Sequence, residues 1–490
     1  MRIVQIAGLL LAATWLEPAA AADRFDEVRE YIRSELLSTS TPSLAVAVAQ
    51  DGRIVWEQGF GWADRERRVA ASEHTVYSLA SISKPITTTG LMVLAQSGRV
   101  DLDRPANDYL GNAKLRARVG NARDATVRLV ANHTSGLPRH LNFFFADEPF
   151  HPPSMDETLL RYGNLVTAPG ERFQYSNLGY GVLDYIIERV SGVSYEQFMR
   201  QNVFLPLGMT RTSIGVTPEL EPYAATRYGD DGLPVPSYDS DHPGASVVFA
   251  SAHDLVRFGM FHLKAHLPDQ KAILSDATID EMHRPTASAG PFDYGDTGYG
   301  IGFMSFVNGG HKVVFHDGGM IGVRTQMLLI PDRKIAIVVL SNASTLAAPA
   351  VADRIAEKLL PGWRKAVEQE PAKLPFVTPS ELSGVWKGTL STYTKDVPVE
   401  LRFLPNGDVH AKFGDQLAAL VNDAQFKDGV FSGELLTRID TPDTARGEYT
   451  VSLSLELRGD ILNGPVHTLS FVPRMRSALA HWVELRKEQP

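Results

Sequence analysis

The spacing of hydrophobic residues changes once along the chain, and the change falls at a proline-rich stretch. Residues 369–379 carry prolines at 371, 375 and 379, which disfavour helix and strand alike and read as a linker. Beyond it the period is two. Val397, Val399, Leu401 and Phe403 alternate with Pro398, Glu400 and Arg402. Tyr449, Val451, Leu453, Leu455 and Leu457 alternate with Thr450, Ser452, Ser454, Glu456 and Arg458. Such alternation puts one face of a strand in a core and the other in water. Repeated strands with little helix signal predict a small antiparallel barrel or sandwich from about 380 to 475, within a β domain spanning 380–490.

Before the linker (366–379) the pattern is mixed. Phe25, Val28, Ile32 and Leu36 share a face of a helix over 23–37. Strand-like runs at 43–50 and 53–57 flank Asp51-Gly52, a strong hairpin signal. Residues 81–96 are helical in pattern, with Pro85 in the first turn and Gly98 at the end. Residues 124–192 read as mostly helical, with Phe143, Phe144 and Phe145 on a turn-rich loop. Strands return at 299–303, 312–315, 324–330 and 335–340, the last two joined as a hairpin through 331–334, and a helix over 347–360 closes the unit. Strands at both ends with helices between predict one antiparallel sheet assembled from both ends of an α+β domain, 23–365.

Charge and composition narrow the function classes. The formal net charge is −9, which disfavours a nucleic-acid partner. There is no cysteine, so disulfides, thiol catalysis, cysteine-ligated zinc and an acylated lipoprotein anchor are excluded together. Arg2, an apolar run over 3–16 and Ala20-Ala21-Ala22 form the pattern of a cleavable signal peptide, 1–22. The expectation is a periplasmic or secreted protein with no stable membrane span after cleavage.

Three short motifs follow in order: Ser81-Ile-Ser-Lys84, Tyr175-Ser-Asn177 and His316-Asp-Gly318. A serine near a helix N-terminus, with a lysine one turn later, has the makings of an activated nucleophile. There is no Gly-x-Ser-x-Gly elbow, His-Glu-x-x-His or phosphate-binding loop. The histidines do not cluster at ligand spacing, so neither a metal nor a cofactor is expected. His133 reads as a structural residue at a helix end, and His253-Asp254 as a helix start.

With 77–84, 132–138, 169–180 and 316–322 taken together, the chain resembles the serine β-lactamase/penicillin-binding-protein superfamily, in its class C-like branch of esterases and peptidases. The resemblance implies a β-lactamase/transpeptidase-like domain, an antiparallel sheet with a helical subdomain, followed by a lipocalin-like barrel or sandwich. It implies Ser81 as the acylated nucleophile, Lys84 as its hydrogen-bonding partner and Tyr175 as general base assisted by Lys84. Asn177 would orient the substrate, Gly318 and His316 would line the site, and the N–H groups of Ser81 and Gly319 would form the oxyanion hole. His316 stands where β-lactamases of this kind carry lysine, which favours esters or small D-amino-acid amides over β-lactams as substrates. The alternatives are a β-lactamase or penicillin-binding D,D-peptidase, and a non-catalytic cell-wall-binding protein on the same fold. Phe143–Phe145 fits an acyl-pocket wall, lid packing or a dimer contact.

Overall fold

The structure, a computed structural model, describes residues 23–292, 295–364, 375–472 and 474–488. The expected signal peptide and residues 366–374 of the expected linker lie outside the described residues. The described part of the linker, 375–379, is neither helix nor strand.

Both ends of the α+β unit meet in one antiparallel sheet. Ser43–Gln50 pairs with Ile335–Ser341, with Val46 opposite Val339, and on its other edge with Arg53–Asp64. The Asp51-Gly52 turn has positive φ at both positions, the geometry Asp-Gly supplies cheaply. Nine strands follow in the order Ala287–Phe292, Gly295–Tyr299, Met304–Asn308, His311–Met320, Val323–Ile330, Ile335–Ser341, Ser43–Gln50, Arg53–Asp64 and Val69–Ala70.

Residue size decides what packs on each face. Leu44, Val46 and Val48 pack with Phe25, Val28 and Ile32 of the first helix region and with Val351 and Ile355 of Ala347–Leu359. Each buried Val or Leu contributes about 1.5–3 kcal/mol. Ala45, Ala47 and Ala49 face the opposite side, which carries Ala252–His262. There Gly259 packs closely on the sheet, since a Cβ would stand 2.9 Å from Leu329 Cδ2. Ser83–Gln96 lies in the same larger core, with Ile86, Leu91 and Leu94 buried.

The C-terminal strands form a nearly closed antiparallel barrel. Their order is Ala419–Leu420, Val409–Phe413, Asp396–Phe403, Gly384–Ser391, Ser477–Lys487, Ile461–Ser470, Thr450–Arg458, Val430–Leu435 and Asn422–Lys427. The two ends of this order are neighbours in sequence, flanking Val421. The inward residues of the period-two runs, Val399, Leu401, Phe403, Val451, Leu453 and Leu455, form its core with Trp386 and Phe431.

Four expectations need correction. The strands of the barrel continue to Lys487, beyond 475, and Ser477–Lys487 is a central strand. Residues 299–303 are not one strand: pairing stops at Tyr299, and Gly302 turns with φ +82° within touching distance of Thr88. Residues 81–96 are not uniformly α-helical, because Ala80–Ile82 is a 3-10 turn and the α-helix starts at Ser83. Leu141–Phe145 is a strand rather than a loop. It pairs with Tyr238–Ser240 on one edge and with Ser477 and Ala478 on the other. All five residues are buried, so the strand lacks the alternation by which a half-exposed strand is recognised.

This shared strand welds the barrel to the hydrolase-like unit, and polar contacts reinforce the seam. Asp443 accepts from Tyr162 Oη at 2.6 Å, Tyr393 Oη at 2.9 Å and Arg161 at 3.2 Å. Arg474 holds the exposed Asp147 through two 2.8 Å bonds. Asp443→Ala strands the buried Tyr162 hydroxyl and is expected to cost about 1–3 kcal/mol. Asp147→Ala is expected to cost under about 1 kcal/mol. Denaturant titration of both variants checks the difference.

Candidate active site

Ser81 sits on a strained turn clamped from the sheet. Ala80 has φ +45°, a left-handed conformation that costs a Cβ-bearing residue about 1 kcal/mol or more. The strand His311–Met320 holds it there. Gly318 packs so closely that a Cβ would meet Leu79 O at 2.2 Å and Ala80 Cβ at 3.2 Å. Thr325 Oγ1, on the neighbouring strand, donates to Leu79 O at 3.0 Å. On the opposite side Leu79 N donates to Val248 O at 3.0 Å, and Val248 N to Ser83 Oγ at 3.0 Å.

Lys84 is fully buried, one turn beyond Ser81. Its Nζ lies 3.0 Å from Ser81 Oγ, 2.7 Å from Asn177 Oδ1 and 3.1 Å from Ala245 O. None of these is a carboxylate, and burial drives its pKa well below the ordinary lysine value, with Asp317 opposing only in part. An unprotonated amine suits this cage. Its two N–H groups satisfy Asn177 Oδ1 and Ala245 O, leaving the lone pair for the Ser81 hydroxyl.

Tyr175 and Asn177 enter from the turn before the helix Asn177–Ser191. Ser176 caps that helix, accepting from Gly179 N at 3.1 Å, and donates to Pro138 O at 2.8 Å. Asn177 Nδ2 donates to His140 O at 2.9 Å, so its amide is braced at both ends. Tyr175 lies over Lys84, whose Nζ is 4.7 Å from the ring centre. Burial raises the Tyr175 pKa, with a hydrogen bond to Ser81 pulling the other way. The group is held as a phenol.

His316 is buried in the sheet, with its Nδ1 2.7 Å from Asp317 O and its Nε2 3.3 Å from Tyr299 Oη. That pairing fits a neutral ring that donates from Nδ1 and accepts at Nε2. Burial lowers its pKa to about 3. It therefore offers no permanent positive charge to a substrate carboxylate. His133 lies below Tyr175, ring to ring at 4.4 Å. Its carbonyl accepts from Gln174 N at 2.7 Å and its Nδ1 from Ser176 N at 3.1 Å, so it anchors the segment that presents Tyr175.

The sequence motifs thus converge on one place. Two cavities, of about 260 and 270 Å³, meet at Ser81, Tyr175 and Gly319. The first is walled by Asn177, Leu141, Phe143, Met320 and Met475. The second is walled by Phe173, Met304, His316, Asp317 and Arg324. Gly318 shapes the turn from behind and lines neither. Of the Phe143–Phe145 alternatives, Phe143 is a pocket wall. Met475 comes from the barrel, and no motif pointed to it. Tyr180 and Tyr299, whose hydroxyls lie 3.4 Å apart beneath the site, carry no separate sequence signal.

One ligand-type group exists among the described residues. His140, Asp241 and His242 are buried with donor atoms within 4.8 Å of one another. Spacing along the chain hides it, because the strand Leu141–Phe145 brings position 140 to position 241. The facing nitrogens already bond to the carboxylate: His140 Nε2 at 3.0 Å and His242 Nδ1 at 2.6 Å. Asn142 Nδ2 adds a 3.3 Å bond to Asp241, and Arg446 of the barrel donates to Asn142 Oδ1 at 2.7 Å. The group is a polar brace behind Asn177.

Comparison with known proteins agrees with this geometry. A family model described as Beta-lactamase matches residues 22–360, more than half of the 490-residue chain. Protein flp of Staphylococcus aureus (strain N315) is 26% identical over 338 residues, covering 68% of this chain and 66% of that protein. The chain thus spans about two thirds of that relative's length. The structure of SurE with D-Leu superposes with a TM-score of 0.62 at 20% identity, covering 95% of this chain and 99% of that one. A class C beta-lactamase gives 0.57 at 20% identity, covering 69% and 96%. These two structures share the fold, the first across the α+β unit and the barrel together.

The clamp on the nucleophile yields a direct test. Gly318→Ala is expected to slow fluorophosphonate labelling of Ser81 by about 100-fold, while circular dichroism shows the fold retained.

Proposed function

The chain belongs to the Beta-lactamase family, and on that footing we propose that it is a serine hydrolase forming an acyl-Ser81 intermediate from esters or small D-amino-acid amides and peptides. The observation that carries this reading is the Lys84 amine, buried with no carboxylate partner among the described residues and 3.0 Å from Ser81 Oγ. The neutral His316 supports esters or D-amino-acid amides over β-lactams. So does the shared two-unit fold with SurE, whose solved structure holds D-Leu.

The steps follow from the geometry. Ser81 Oγ attacks the substrate carbonyl carbon while its proton passes to Lys84 Nζ. The oxyanion is assigned to the N–H groups of Ser81 and Gly319, the pair implied by the family resemblance; both residues line the two cavities. As the tetrahedral species collapses, the bond to the leaving oxygen or nitrogen breaks, and that atom takes the Tyr175 proton. Lys84 then returns its proton to the tyrosine side of the site. Water repeats the sequence on the acyl-enzyme, releasing the acid and restoring Ser81. The tyrosine acts here as a proton donor, and Lys84 takes the base role that the family resemblance gave to Tyr175.

The division of labour gives two predictions. The burst rate with a nitrophenyl ester should rise with pH through the depressed pKa of Lys84, because only the free amine accepts the serine proton. The midpoint should lie well below the ordinary lysine value of 10.5, and Lys84→Met should lose about 100- to 10 000-fold. Stopped-flow burst kinetics across pH measure both, and an unchanged burst in Lys84→Met would sink the assignment. Tyr175→Phe should lose about 100-fold or more in acylation by amides but under about 10-fold in the acylation burst with a nitrophenyl ester, whose leaving group departs without a proton. Equal losses on both would return Tyr175 to the role of base. An absent adduct at Ser81, read by mass spectrometry after fluorophosphonate treatment of folded protein, would overturn the hydrolase reading itself.

A further inference from the structure

Among the described residues Arg139 is the sole charged side chain lining the cavity that contains Asn177, and nothing in the acyl-transfer steps uses it. The other walls include Ser81, Tyr175, Asn177 and Gly319 at the reacting end, with Leu141, Phe143 and Met475 beyond. Arg139 is exposed, and among the described residues its guanidinium makes no hydrogen bond or ion pair. The companion cavity differs: its Arg324 already faces Asp317 at 3.5 Å.

The backbone of Arg139 is fixed with respect to the reacting groups. The residue before it, Pro138, takes the Ser176 hydroxyl at 2.8 Å, and the residue after it, His140, takes Asn177 Nδ2 at 2.9 Å. Both ties lead to the segment that bears Tyr175 and Asn177. The barrel adds a third, through a hydrogen bond between the buried His467 and the Arg139 backbone. The guanidinium carbon stands 5.8 Å from the ring centre of Phe471, also of the barrel.

We propose that Arg139 is a specificity-determining residue that binds a carboxylate on the part of the substrate filling this cavity. The substrate class is then an ester or amide in which a short apolar stretch separates the scissile carbonyl from an anionic end. Arginine suits the task, because its planar fork matches a carboxylate through two hydrogen bonds. The apolar walls raise the strength of that pairing over its value in open water.

The inference rests on the acyl-Ser81 reading, and the test separates the two. Nitrophenyl esters of glutaric acid are prepared as the free-acid monoester and as the methyl diester, together with a butyrate ester carrying the carboxylate on its nitrophenyl group. Wild type should prefer one carboxylate-bearing ester over its neutral counterpart. In Arg139→Gln that preference, as a ratio of kcat/KM values, should fall about 10- to 100-fold through KM, and Arg139→Lys should restore part of it. No preference in wild type, or an unchanged ratio in Arg139→Gln, overturns the proposal while leaving the hydrolase reading intact. Failure of all esters overturns the hydrolase reading. Protection of Ser81 from fluorophosphonate by hexanoate against hexanamide then decides Arg139 alone: protection by hexanoate, lost in Arg139→Gln, supports it, and equal protection by both overturns it.

Discussion

A lysine nitrogen buried with no ion pair among the described residues is the constraint around which the site is arranged. An ammonium ion deprived of water costs several kcal/mol, and the least costly relief is to lose its proton. Lys84 is placed where that relief is chemically useful. Asn177 Oδ1 and Ala245 O occupy two hydrogens, and Ser81 occupies the third direction. Asn177 is therefore committed to the lysine on one side and to His140 O on the other, and acts first as a brace. The same burial that frees the amine keeps Tyr175 protonated and His316 neutral, so the resting site carries little charge where bonds are to change.

Much of this was legible in the chain. Asp51-Gly52 between two strand-like runs foretold a hairpin, and the alternation at 397–403 and 449–458 foretold barrel strands, because local turn chemistry and one-sided burial leave direct marks in sequence. The ordered motifs at 81–84, 175–177 and 316–318 foretold the cavity walls. What stayed hidden came from distant pairings. Leu141–Phe145 is buried on both faces, which erases alternation. Arg139 and Met475 become pocket residues only once the barrel is docked. The His140–Asp241–His242 group exists because a strand crossing brings 140 to 241.

The barrel is part of the architecture of the cavity. Its central strand Ser477–Lys487 extends onto Leu141–Phe145, Met475 forms a wall, and Arg446 reaches Asn142 behind Asn177. From Arg446 a continuous polar path runs through Asn142, Asp241 and His140 to Asn177 and Lys84. The two units share a floor as well as a boundary.

The order of strands in the barrel also bears on how the molecule comes into being. Ser477–Lys487 is among the last described strands along the chain, yet it lies at the middle of the barrel sheet and against the pocket strand. The contact Arg476–Glu148 spans 328 positions. During synthesis the chain emerges in order, so Leu141–Phe145, rich in phenylalanine, waits with one edge open until nearly all of the barrel has been made. Long-range pairings of this kind form slowly and leave sticky edges exposed meanwhile. The pocket is thus completed late, and the enzyme-like half acquires its finished wall only when the other half closes.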